Sequence, residues 1–90
     1  MSVAAVIVKL MPDSPEADLE AIKTTAKEKL ESEGAQQISF EEQPVAFGLK
    51  AIMLKAAIPE EKGTDMVESS LSTIEHVSSV SIEDYRRAFG

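Results

Sequence analysis

Two runs of this chain are apolar on both of their alternating sides, and each is stopped by the same kind of signal. Val3 to Met11 (VAAVIVKLM) sets Val6, Val8 and Leu10 on one side and Val3, Ala5 and Ile7 on the other, then meets Met11-Pro12-Asp13. Leu49 to Ile58 (LKAIMLKAAI) repeats the pattern, interrupted by Lys50 and Lys55, and meets Ile58-Pro59-Glu60. Side chains alternate along a strand with period two, so a run that is apolar on both sides suits a central strand, flanked by neighbours.

Each run leads into a helical pattern. Asp13-Ser14-Pro15-Glu16 offers a side-chain acceptor for the first free amides, a proline suited to a first turn and a glutamate three residues after Asp13, which predicts a helix start there. Leu19, Ile22, Ala26 and Leu30 recur at three- and four-residue steps and form one apolar stripe. Acidic residues crowd its first turns and Lys27 and Lys29 lie late, as the helix dipole favours, and Gly34 supplies the left-handed position that ends many helices. In the second half Gly63-Thr64-Asp65 opens a helix with Met66, Val67, Ser70, Leu71 and Ile74 inward.

The remaining strands alternate cleanly. Gln36 to Glu42 points Ile38 and Phe40 one way and Gln37, Ser39 and Glu41 the other; Val77 to Tyr85 points Val80 and Ile82 inward and Ser79, Ser81 and Glu83 outward. Such strands are half-buried and belong at sheet edges. The order strand-helix-strand twice over, with right-handed crossovers, is the α+β ferredoxin-like split βαβ sandwich (βαββαβ). Its four-stranded antiparallel sheet has the order 4-1-3-2, with two helices on one face. That topology puts strands one and three in the middle, which are the two that read as doubly apolar. The helix-free face is expected to have a small or apolar centre (Ala5, Ile7, Ala51, Met53, Ala57) and polar flanks (Gln37, Ser39, Ser79, Ser81), a surface that suggests a partner.

Composition bounds the rest. Ninety residues make a single domain, 1–90, that buries only about 60 to 65% of its unfolded surface. With no cysteine there is no disulfide, thiolate metal site or cysteine nucleophile, and a reducing, intracellular compartment is expected. The first apolar run is too short to span a bilayer and lacks basic residues before it, so it reads as a strand and not as a signal or anchor. A net charge of −7 repels phosphate backbones and anionic lipid from any surface sharing the average balance, which argues against direct nucleic-acid or membrane contact.

Sites on this fold are removed one by one. The central strands carry no aromatic to stack a base, as an RNA-recognition sheet would. The first loop, Met11-Pro12-Asp13-Ser14-Pro15, is acidic and has neither glycine nor arginine to cradle a phosphate. His76 is the only histidine, and Glu41-Glu42 and Glu60-Glu61 are adjacent acids without acid/base geometry. No catalytic, metal or cofactor residue is expected, and the protein reads as a non-enzyme. Two segments stand out. In Gln43-Pro44-Val45-Ala46-Phe47-Gly48 a large aromatic occupies a turn, where it either folds back onto the end of the core or faces a partner. At the C-terminus Asp84-Tyr85-Arg86-Arg87-Ala88-Phe89-Gly90 holds both arginines of the chain, either as a solvated basic tail or as anchors of an interface. Strand alternation continued from Val80 and Ile82 places Arg86 inward and Arg87 on the open face.

Val8-Lys9-Leu10-Met11-Pro12 with Asp13 to Leu19, the block Pro44-Val45-Ala46-Phe47-Gly48-Leu49-Lys50, Gly63-Thr64-Asp65-Met66 and Val77-Ser78-Ser79-Val80-Ser81-Ile82 together resemble the archaeal elongation factor 1-beta family and the exchange domain of its eukaryotic relatives. The resemblance covers essentially the whole chain. It implies the ferredoxin-like fold and a guanine-nucleotide exchange factor that promotes GDP release from elongation factor 1-alpha, in its GDP-bound or nucleotide-free state, in the cytoplasm. It also implies that the chain is the exchange unit alone. The partner contacts it implies are Phe47, Gly48, Lys50, Arg86 and Arg87. The family's aromatic anchor falls at Phe47, and its lysine, which enters the magnesium and phosphate region, at Arg87. Arginine and three further residues here replace a lysine close to the chain end. The alternative from another class is a non-catalytic ferredoxin-like interaction or small-molecule-sensing module that dimerises through its open sheet face.

Overall fold

A computed structural model of the protein describes residues 3–88 and gives the order β1 (Val3–Pro12), α1 (Leu19–Ser32), β2 (Gln36–Pro44), β3 (Lys50–Pro59), α2 (Gly63–Ser72) and β4 (Val77–Ala88). Met1, Ser2, Phe89 and Gly90 of the expected 1–90 domain lie outside the described residues. The strands pair antiparallel in the order β2-β3-β1-β4, the expected sheet read from its other edge. The doubly apolar β1 and β3 are central, so the βαββαβ ferredoxin-like sandwich inferred from the sequence is the fold observed.

The core lies between the sheet and the two helices. Ala4, Val6, Val8 and Leu10 of β1 and Ile52, Leu54, Ala56 and Ile58 of β3 are buried against Ile22, Ala26 and Leu30 of α1 and Val67 and Leu71 of α2. Each large aliphatic side chain removed from water here contributes about 1.5–3 kcal/mol, and among the described residues no polar or charged one is buried.

Helix α1 starts later than its sequence predicts. Asp18 is the N-cap, accepting a 3.2 Å hydrogen bond from the Ala21 amide, while Asp13 to Ala17 stay in the loop. The cap sits immediately before Leu19, where the apolar stripe begins, and Asp13 turns instead to His76: its backbone amide donates to the His76 carbonyl at 2.8 Å. At the other end of α1 the left-handed Gly34 (φ 95°) lets the Ala35 amide reach back to the Leu30 carbonyl at 2.9 Å. Glycine is required there twice over, since a Cβ would also lie 3.0 Å from the Pro59 ring.

Strand β4 departs from simple alternation at two β-bulges. Pro12 pairs with Val77 and Met11 with Ser79, leaving Ser78 extra; Val8 pairs with Ile82 and Ile7 with Asp84, leaving Glu83 extra. Each inserted residue shifts the facing of everything beyond it. Val77, Val80, Ile82 and Tyr85 therefore all pack on the core, at spacings of three, two and three. The Ser78 hydroxyl stabilises the first bulge by donating to the Met11 and Pro12 carbonyls at 3.2 and 3.3 Å.

Candidate functional site

The β2–β3 connection is a tight hairpin. Pro44 pairs with Lys50, the Val45 amide donates to the Leu49 carbonyl at 2.9 Å, and the Leu49 amide donates to the Ala46 carbonyl at 3.3 Å. The two residues at the tip both have positive φ, Phe47 at φ 63°, ψ 29° and Gly48 at φ 74°, the backbone of a mirror-image hairpin turn. Such turns favour Asn-Gly or Asp-Gly, because left-handed backbone costs an ordinary L-residue about 1–2 kcal/mol. Here the first position is a phenylalanine that is 91% exposed. It does not fold back onto the core. Neither packing nor backbone conformation favours Phe47 at this position, so the fold alone does not account for it.

Lys50 begins β3 at the same end of the sheet, exposed and one residue beyond the turn. Behind the hairpin, Lys23 of α1 bridges Glu20 at 3.0 Å and Glu42 of β2 at 2.8 Å, with its side chain only 19% exposed. The hydrogen bond from Lys23 holds the Glu42 carboxyl below the usual carboxylate range, and the bonds to Glu42 and Glu20 raise the Lys23 ammonium above its ordinary value. This triad ties β2, which leads into the hairpin, to the first helix.

The arginines occupy the opposite end. Arg86 pairs with Ala5 of β1, which pairs in turn with Ala57 of β3. Ala57 lies seven positions along β3 from Lys50, a run of about 23 Å at ~3.3 Å per residue. The structure thus brings Phe47, Gly48 and Lys50 together, and Arg86 with Arg87, but keeps the two groups apart. Both arginines lie within β4 and not in a loose tail.

Their facing reverses the sequence expectation. The extra residue Glu83 turns Tyr85 inward, so Arg86 emerges on the open sheet face, where its Nε lies 3.0 Å from Asp84. Arg87 emerges on the helical side and its Nε reaches Glu60, in the β3–α2 loop, at 3.2 Å.

The open face carries the expected Ala5, Ile7, Met53 and Ala57, with Ser39, Ser79 and Ser81 on its flanks, but its centre is not wholly apolar. A shallow depression of about 570 Å³ runs across it, lined in part by Ala5, Ile7, Gln37, Lys55, Ala57 and Arg86. Two residues of this face escaped the sequence reading: Lys9 and Lys55 stand in the middle of it. Their odd-numbered positions in β1 and β3, shared with Ala5, Ile7 and Met53, were the available signal. No helix among the described residues is long and apolar enough to cross a membrane.

The ferredoxin-like sandwich thus presents a solvated aromatic on a tight hairpin and a helix-free sheet face, two surfaces open to a macromolecular partner. Residues 5–88 match the model of the EF-1 guanine nucleotide exchange domain. Elongation factor 1-beta of Methanosphaera stadtmanae is 40% identical over 88 residues, covering 97% of this chain and 98% of that protein. The corresponding factors of Methanothermobacter thermautotrophicus (42% identity; 89% of this chain, 90% of that protein) and Halobacterium salinarum (36%; 97% and 99%) are also similar. The chain belongs to the elongation factor 1-beta family of guanine-nucleotide exchange domains. Among solved structures, the C-terminal domain LarC2, of a cyclometallase involved in synthesis of the NPN cofactor of lactate racemase, superposes with a TM-score of 0.67 over 99% of this chain and 58% of that one. At 12% identity it supports the fold alone.

Proposed function

We propose that this protein promotes GDP release from elongation factor 1-alpha in the cytoplasm, with Phe47 and its neighbours Gly48 and Lys50 forming one contact on that GTPase and Arg86 and Arg87 a second. The observation that carries the proposal is Phe47 itself, 91% exposed on a left-handed backbone. Burying such a side chain in a partner's pocket yields about 2–3 kcal/mol, and aromatic and arginine side chains are the usual anchors of interfaces. The hairpin is closed by backbone hydrogen bonds in the free chain, which lowers the ordering entropy that opposes binding.

The protein makes and breaks no bond in this reading. In a GDP-bound GTPase a magnesium ion bridges nucleotide oxygens and protein hydroxyls, and a lysine neutralises the phosphates. An exchange factor accelerates release only by binding the nucleotide-poor conformation better than the GDP-bound one, since equal affinity shifts nothing. Each tenfold in release rate requires about 1.4 kcal/mol of that difference at the barrier. A cation brought near the magnesium position competes with the metal for its ligands, the role proposed for Arg87, whose planar fork contacts oxygen ligands differently from a lysine ammonium.

Because the two groups of contacts lie at opposite ends of the sheet, the GTPase must span the length of the domain. The experiment that tests the reading is co-purification of the two proteins with and without nucleotide. A complex should form with nucleotide-free elongation factor 1-alpha and dissociate on addition of magnesium and GDP; indifference to nucleotide would exclude exchange.

A further inference from the structure

The helix-free sheet face departs from the charge balance of the chain. Lys9 lies opposite Met53, and Ile7 lies opposite Lys55, so the two lysines are diagonal neighbours at the centre of the sheet, roughly 7–8 Å apart. Neither enters an ion pair among the described residues, whereas Lys23, Lys62, Arg86 and Arg87 all do. Around them lie Ala5, Ile7, Met53 and Ala57, while Glu41, Glu83 and Asp84 stand towards the edge strands. The surface is therefore cationic at its apolar centre, and its rim carries three acids, one of them paired with Arg86, in a protein whose net charge is −7.

We infer that this face seats an acidic segment of the GTPase, with carboxylates entering between Lys9 and Lys55 and apolar side chains resting on Ile7 and Met53. The inference rests on the exchange-factor reading above and adds a third contact between its two distant ones. A second copy of this chain fits the face poorly. A two-fold contact through the face would bring its central lysines against those of its mate, and like charges so placed exclude partners. Nucleic acid fits poorly as well, because β1 and β3 offer no aromatic for stacking and the carboxylates of Glu41 and Glu83 flank the lysines where phosphates would lie. A protein surface of mixed sign with acids at its centre matches all three properties: charge, rim and apolar floor. The depression across the face continues to Arg86, so the same segment can extend towards the C-terminal contact.

The test measures GDP release from elongation factor 1-alpha as a function of exchange-factor concentration, for the wild type, Lys9→Glu/Lys55→Glu, Lys9→Ala/Lys55→Ala and a control, Lys27→Glu/Lys29→Glu, that makes the same charge change on α1. The open-face glutamate pair should need about tenfold more protein for half-maximal release, the alanine pair an intermediate excess, and the control within about threefold of wild type. Circular dichroism checks that each variant is folded, and the alanine pair carries the test if the glutamate pair is not. Equal half-maximal concentrations for the open-face and control pairs would overturn the inference while leaving the exchange reading intact. RNA binding that the open-face variants abolish, with exchange unaffected, would overturn it in favour of nucleic acid. Absence of acceleration by the wild type removes both readings together.

Discussion

Arg86 lies opposite Ala5 on the helix-free side of the sheet, and its neighbour Arg87 leaves the same strand on the helical side to meet Glu60 at 3.2 Å. The arginine side chain of the Arg87–Glu60 pair is 73% accessible and the glutamate half-buried, so the pair holds the guanidinium in place with about 1 kcal/mol or less. If Arg87 acts on the partner's magnesium region it must leave Glu60 to do so. Glu60→Gln should then speed GDP release by up to about threefold, and Arg87→Ala should slow it. Stopped-flow release with the two variants side by side checks the pair; equal rates for both would assign Arg87 a structural role.

The Glu83 bulge makes a prediction about register. Deleting Glu83 leaves Ile82 and Tyr85 facing the core and Arg86 facing out in an uninterrupted strand, so the fold should survive at a cost of about 1 kcal/mol or less. Deleting Arg86 instead moves Arg87 to the open face. Thermal unfolding of the Glu83 deletion checks this; a loss of several kcal/mol would show that the strand requires the extra residue to keep Tyr85 in the core.

Most of the fold was legible in the pattern of apolar residues, because burial on one side or both is what distinguishes edge from central strands. Alternation beyond Ile82 misled, since it demanded that Asp84 and Arg86 face the core. The correct signal was Tyr85, the next apolar residue, three positions on instead of two. The start of α1 misled for a related reason. Asp13 and Asp18 are both able to cap a helix, and what decides between them is that the apolar stripe begins at Leu19. Phe47 was singled out by its chemistry, yet its left-handed backbone could not be read, since propensity assigns that conformation to glycine and asparagine and not to phenylalanine.

Phe47 therefore predicts a separation of stability from activity. Phe47→Asn replaces a strained residue by one that tolerates the left-handed region, so the melting temperature should stay level or rise, by an amount equivalent to about 1 kcal/mol or less. Exchange should fall in the same variant. Calorimetry and a release assay on one preparation check both halves.

The Lys23–Glu42 pair predicts a pH dependence. Glu42 titrates below its ordinary value because of Lys23, so the pair contributes above the unfolded carboxylate pKa of about 4.3 and is lost as pH falls through the lower folded value. On the alkaline side Lys23, raised by its two carboxylates, keeps its contribution up to the unfolded lysine pKa of about 10.4 and loses it above, through the higher folded value. The stability gap between wild type and Glu42→Gln should be constant from about pH 5 to 9 and shrink beyond either limit. Urea unfolding at a series of pH values measures it.

In the proposed function Phe47, solvent-exposed on a strained hairpin, anchors the domain on the GTPase while the distant arginines reach its nucleotide site. Stopped-flow release of fluorescent GDP from the cognate elongation factor 1-alpha tests it most directly. The wild type should accelerate release, and Phe47→Ala, with an unchanged circular dichroism spectrum, should lose at least about tenfold of that acceleration at a sub-saturating concentration. Full acceleration by Phe47→Ala would contradict it.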